Sequence, residues 1–95
     1  MVDIGKRCDI SFNSIITDTN NHYIINKKTG LINNQRKPVI IGDFNWIGNN
    51  TSIKPGVHTP HHTIVAASYS VLTKDYTQSL APYCIIGGCP AKLLT

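Results

Sequence analysis

The chain has 95 residues, nine Lys and Arg against five Asp and no Glu, a formal charge of +4 at neutral pH and 41% hydrophobic residues. The basic residues are scattered from Lys6 to Lys92 and pair only at Lys27-Lys28 and Arg36-Lys37, which argues against a nucleic-acid footprint and leaves a small anionic ligand compatible. No apolar run approaches the roughly 20 residues that span a membrane, no signal peptide opens the chain, and Cys8, Cys84 and Cys89 are odd in number without zinc-ligand spacing; a soluble, cytoplasmic protein with reduced thiols is expected.

Ile, Val and Thr supply 28 residues and Ala and Leu only nine, which favours strand over helix. From the N-terminus, Ile4, Ile10 and Ile16 open six-residue units whose fifth positions are Cys8, Ser14 and Asn20. The frame breaks at His22, a polar residue where an aliphatic one is due. Residues 23–40 are mostly polar, turn at Lys28-Thr29-Gly30, and are predicted to leave the repeat as a long loop of the kind that binds or covers a site.

At Ile41 the frame resumes through Ile47, Ile53, Thr59, Val65 and Val71, with Asn45, Thr51, Val57, Thr63, Tyr69 and Asp75 at the fifth positions. A period of six is neither that of an amphipathic helix nor that of one long strand. A coil of short strands explains it, because a fifth position and the next first position lie two apart and point to the same side. Glycines at second positions, Gly42 and Gly48, are read as allowing the backbone to turn where a Cβ would crowd it. The predicted fold is therefore all-β, a parallel β-helix of about three coils in a single unit over 1–95, with Ile4, Ile10, Ile16, Ile41, Ile47, Ile53, Val65 and Val71 facing one interior. A polar bend from Tyr76 to Pro82, a strand at Tyr83 to Ile86 and a segment through Gly87-Gly88-Cys89-Pro90-Ala91-Lys92 make up a C-terminal stretch, 76–95. No cap is evident at either end, which suggests a truncated or short version of a longer protein.

Four stretches together resemble the hexapeptide-repeat acyltransferases with a left-handed β-helix, in particular the galactoside, maltose and capsular-polysaccharide O-acetyltransferases. They are Ile16-Thr17-Asp18-Thr19-Asn20-Asn21-His22 before the loop, Ile41-Gly42-Asp43-Phe44-Asn45-Trp46-Ile47-Gly48, Ile53-Lys54-Pro55-Gly56-Val57, and Thr73-Lys74-Asp75 followed by Gly87 to Lys92. The resemblance implies left-handed coils, which the repeat alone does not determine, a homotrimer with sites between neighbouring prisms, and transfer of an acetyl group from acetyl-CoA to a sugar or glycan hydroxyl without a metal. It places His22 as general base, a role that imidazole suits near neutral pH, whereas on its own His22 reads equally as a solvated loop residue. Asp18 would orient the imidazole or be a turn former, and Asn49 would face the developing oxyanion or occupy a coil corner. The coenzyme would meet Trp46, Ala67, Thr73, Lys74 and Lys92, the two lysines pairing with phosphates or standing solvated.

Three features depart from the family pattern: Thr59-Pro60-His61-His62 in place of an aliphatic-Gly-Asp-Asn unit, one additional residue in Ser68 to Leu72, and a longer segment from Tyr76 to Ala81. Two other readings stand beside the enzyme. A prism without its upstream coils would serve as a structural or assembly module. His58, His61 and His62 invite comparison with β-helical metal enzymes of the carbonic-anhydrase kind, although adjacent residues on a strand point to opposite faces.

Overall fold

The computed structural model describes residues 1–19, 27–30, 36–67 and 69–95. Among the described residues there are eleven short strands: β1 Val2–Ile4, β2 Asp9–Ile10, β3 Ile15–Ile16, β4 Val39–Ile41, β5 Trp46–Ile47, β6 Ser52–Ile53, β7 His58–Thr59, β8 Ile64–Val65, β9 Val71–Leu72, β10 Ile85–Gly87 and β11 Lys92–Leu93. They form three sheets, β1-β4-β7, β2-β5-β8-β10-β11 and β3-β6-β9, parallel throughout except for the β10-β11 pair. These are the first, second and third faces of a left-handed β-helical prism; the period of six predicts the stacked coils, and the family resemblance implies their hand. Strand β4 begins at Val39, so the excursion predicted over 23–40 is shorter by two residues at its C-terminal side.

Each face stacks one residue per coil. Ile4, Ile41 and Thr59 form one inward column, Ile10, Ile47, Val65 and Ile86 a second, and Ile16, Ile53 and Leu72 a third. Leu72, not Val71, completes the third column, because the additional residue before it advances the frame by one and turns Val71 outward. For the same reason Tyr69 is 72% exposed, and Ser70 holds the buried place instead. Asp75 also faces outward, bridged to His58, so that Tyr76 follows Thr59 into the first column and is fully buried.

The second-position glycines stand where a Cβ would crowd the backbone, as expected, but do not adopt a left-handed conformation. Their φ angles are not positive; the left-handed backbone falls at the fourth residue of six units, at Arg7, Asn13, Phe44, Asn50, Gly56 and His62, and at Tyr69, the fifth, in the unit with the additional residue. Gly42 and Gly48 are required by close approach, since a Cβ there would lie 2.7 Å from the Pro60 carbonyl carbon and 2.5 Å from the Ala67 nitrogen of the next coil.

The polar residues inside are paired. Thr59 Oγ1 donates to Asn45 Oδ1 at 2.7 Å, and Asn45 Nδ2 and Thr63 Oγ1 both donate to the Pro60 carbonyl at 2.9 Å. A buried polar group so satisfied avoids the desolvation cost of an unmade bond. The C-terminal stretch, for which no cap was evident in the sequence, closes one end of the prism. Ala91 N donates to Val71 O at 2.7 Å, Tyr76 Oη donates to Ala91 O at 3.0 Å, and β11 folds back antiparallel on β10.

Candidate active site

The prism has three edges, and the predicted site residues divide between two of them. Near the edge joining the second and third faces, Trp46 projects outward between Asp9 and Ile64 and is 55% exposed. Half-buried Asn49 turns that same edge in one coil, and exposed Ala67 lies beneath it in the next, close against Gly48. Lys92 reaches the second face through its pairing with Gly87.

The edge joining the third and first faces carries the others. Asp18 lies at the base of the loop, where its carbonyl accepts a hydrogen bond from Lys37 N at 2.9 Å. Its carboxylate accepts a hydrogen bond from the N-terminal ammonium and lies 3.8 Å from Arg36 Nη1. The ammonium first, and then Arg36, hold its carboxyl below the usual aspartate range. Thr73 and Lys74 turn the edge lower down, with Thr73 N donating to Tyr76 Oη at 3.3 Å and Lys74 Nζ 5.5 Å from the Tyr76 ring centroid. His22 lies outside the described residues. Within one chain, then, the two groups are separated by the width of the third face.

The remaining edge, between the first and second faces, carries features that the site prediction did not assign. Phe44 stacks on His62 at 4.7 Å between ring centroids, and His62 stacks on Tyr83 at 4.5 Å, each ring carried by a left-handed residue. His61 Nδ1 meets His62 Nδ1 at 2.7 Å, so these rings sit at a turn and touch, instead of pointing to opposite faces of a strand. Among the described residues no group of three or more His, Cys, Asp and Glu side chains is placed to hold a metal ion.

Beside this stack a cavity of about 380 Å³ opens over Gly42 and Thr59, walled by His58, Pro60, His61, Thr77, Leu80 and Pro82. Asp75 caps the short 3-10 helix Tyr76–Gln78 by accepting from Thr77 N at 2.9 Å, and its Oδ1 lies 3.9 Å from His58 Nδ1. Hydrogen bonds from Thr77 come first among the causes that hold the Asp75 carboxyl below its ordinary range, with His58 contributing. The sequence signals for this cavity were the Pro60-His61-His62 departure and the lengthened segment after Tyr76.

No protein-family model matches the chain. In sequence it is 40% identical over 53 residues to a chloramphenicol acetyltransferase of Klebsiella aerogenes, a match covering 56% of this chain and 23% of that protein. In structure it superposes on the polysialic acid O-acetyltransferase OatWY with a TM-score of 0.91 at 35% identity, covering 99% of this chain and 43% of the other. It superposes on a galactoside acetyltransferase in complex with coenzyme A with a TM-score of 0.79 at 26% identity, covering 100% of this chain and 44% of that one. The chain thus spans less than half the length of these relatives.

Proposed function

We propose that the chain is a member of the hexapeptide-repeat acetyltransferases and forms part of an acetyl-CoA-dependent O-acetyltransferase acting on a sugar or glycan hydroxyl in the cytoplasm. The observation that carries this reading is the division of the matched residues between two solvent-facing edges. Trp46, Asn49, Ala67 and Lys92 on one, and Asp18, Thr73 and Lys74 on the other, complete a single site when edges of two chains meet. A homotrimer brings them together three times by rotation.

In that site His22 takes the proton of the acceptor hydroxyl as its oxygen attacks the acetyl carbonyl. Asn49 stabilises the oxyanion, the C–S bond breaks, and the proton leaves with the coenzyme A thiol. Asp18 orients the imidazole. Trp46 and Ala67 flank the pantetheine arm, while Thr73, Lys74 and Lys92 meet the nucleotide, the lysines as point charges for phosphate. The transfer is direct, without an acyl-enzyme: Cys84 is buried against Thr63, Cys8 is turned to the Gly42 carbonyl at 3.2 Å, and exposed Cys89 lies in the C-terminal stretch beyond the coils. The acceptor of one relative, polysialic acid, is an acidic glycan, and a chain of net charge +4 suits an acceptor of that class.

Release of coenzyme A thiol from acetyl-CoA over a panel of neutral and acidic glycans tests the reading. His22→Ala should lower turnover by roughly 10²- to 10⁴-fold while acetyl-CoA binding stays nearly intact. Full activity in that variant would assign the base elsewhere, and no release with any acceptor would favour a structural module. Light scattering that gave a monomer at high concentration would overturn the shared site.

A further inference from the structure

Neither edge assigned to acyl transfer uses the cavity on the third. Its walls combine two kinds of surface. Pro60, Leu80 and Pro82 are apolar and two of them are rigid, a lining that packs the C–H groups of a ring, and Pro60 is fixed by the bonds its carbonyl accepts from Asn45 and Thr63. His58, His61 and Thr77 are polar and face the same space. His58 Nδ1 is turned to Asp75 and His61 Nδ1 to His62, which leaves the Nε2 of each ring to meet a ligand. The Thr77 hydroxyl donates to Asp75 and keeps its lone pairs for accepting. A volume of about 380 Å³ lies inside the range of roughly 300–1,000 Å³ typical of small-molecule sites.

The formal charge on this edge is balanced, Lys6 and Arg7 against Asp43 and Asp75, so an anion in the cavity would be met by the imidazole N–H groups. Lys6 and Arg7 turn the edge one coil above Asp43 and Phe44, and Phe44 stacks directly on His62. Asp43 Oδ1 accepts from Lys6 N at 2.9 Å, and Asp75 accepts from Thr77 and Gln78, so both carboxylates are held in place by uncharged donors. Imidazole N–H groups bind a carboxylate through charge-assisted hydrogen bonds when protonated. A ring bearing a carboxylate fits both the walls and the donors.

We propose that this cavity binds one carboxylated sugar residue, apart from the acyl-transfer site, so that an acidic glycan is held at two places on the protein. The proposal rests on the glycan-acetyltransferase reading above. It makes the Pro60-His61-His62 departure and the lengthened 76–82 segment parts of a binding site.

The test is a titration of the labelled full chain with N-acetylneuraminic acid in the absence of acetyl-CoA, following the histidine ring resonances by NMR. The His58 and His61 signals should move saturably, and binding of neutral N-acetylmannosamine should be weaker by at least about tenfold, the scale of one lost charge-assisted bond. Leu80→Trp, which fills the cavity, should abolish the shifts; should that variant not fold, His61→Gln at an exposed position should weaken binding by about fivefold or more. Equal binding of the neutral sugar, shifts that survive both substitutions, or no saturable shift in the folded parent would each overturn the proposal. Saturable binding without coenzyme A release would overturn the acyl-transfer reading alone, whereas release without these shifts would overturn the cavity assignment alone.

Discussion

Along the second face the inward side chain at one end, Ile10, is 41% exposed, and the one at the other end, Ile86, is 0% exposed. The first face repeats the contrast, with Ile4 at 42% and Tyr76 at 0%. All four point along the same two columns, so orientation does not separate them. What separates them is cover. At the C-terminal end a segment outside the repeat, carrying Tyr76, Cys84, Ala91 and β11, lies across the columns, while no described residue lies across Ile4, Ile10 and Ile16. In a stacked array each coil is stabilised by its neighbours, and a terminal coil has half of them. The repeat thus chooses which residues face inward, and a non-repeating segment determines whether they are dry.

Substitution of aspartate into one column gives the strongest contrast. Ile47→Asp places an unpaired carboxylate in a fully buried position, a cost of several kcal/mol comparable to the whole stability of a small domain, about 5 kcal/mol or more, so circular dichroism should show an unfolded chain. Ile10→Asp, one coil above in the same column, should leave a cooperative thermal transition and cost about 1–2 kcal/mol. Equal loss in both variants would mean that the N-terminal end is covered in solution.

Truncation of the closing side chain comes next. Tyr76→Ala should cost about 3–5 kcal/mol in denaturant unfolding, while Tyr76→Phe, which removes only the bonds to Ala91 O and Thr73 N, should cost about 1 kcal/mol. Ile4→Ala, the matching change at the open end, should cost about 1 kcal/mol.

The glycines should break the contrast. A Cβ on Gly5 would lie 2.8 Å from Asp43 N, and one on Gly48 would lie 2.5 Å from Ala67 N. Both contacts are with the coil beneath, so Gly5→Ala and Gly48→Ala should each cost about 1–3 kcal/mol although one sits at the open end. A neutral Gly5→Ala in thermal melts would show that the first coil is loosely stacked.

The smallest effects are electrostatic. Asp75 and Asp18 both have folded-state pKa values below the ordinary aspartate value, Asp75 mainly through Thr77 and Asp18 mainly through the N-terminal ammonium. Each therefore contributes stability that is present above the unfolded pKa of about 3.9 and is lost as pH falls through the lower folded value. Asp75→Ala should reduce stability at pH 7 by about 0.5–1 kcal/mol through loss of the cap and flatten its decline below pH 4. An unchanged acid limb in that variant would remove Asp75 from the closed end's support.

The sequence by itself determined the repeat. Side chains two residues apart on a strand share a side, so aliphatics at sixth positions from Ile4 to Ile16 and, apart from Thr59, from Ile41 to Val65 were enough to define three faces and an interior, and the motif stretches were enough to indicate the family. Local chemistry could not decide three other things. Whether Val71 or Leu72 turns inward depends on how one additional residue is absorbed at a corner, which only pairing of β9 with β6 settles. The need for Gly42 and Gly48 arises from backbone of the next coil, Thr59 to His61 and Val65 to Ala67, not from their own φ angles. The cavity between His58, His61 and Leu80 exists because a lengthened segment after Tyr76 folds back over the first face, bringing together residues that are distant along the chain. Period fixes direction, since it is a property of neighbours in sequence; burial, close approach and enclosure belong to neighbours in space.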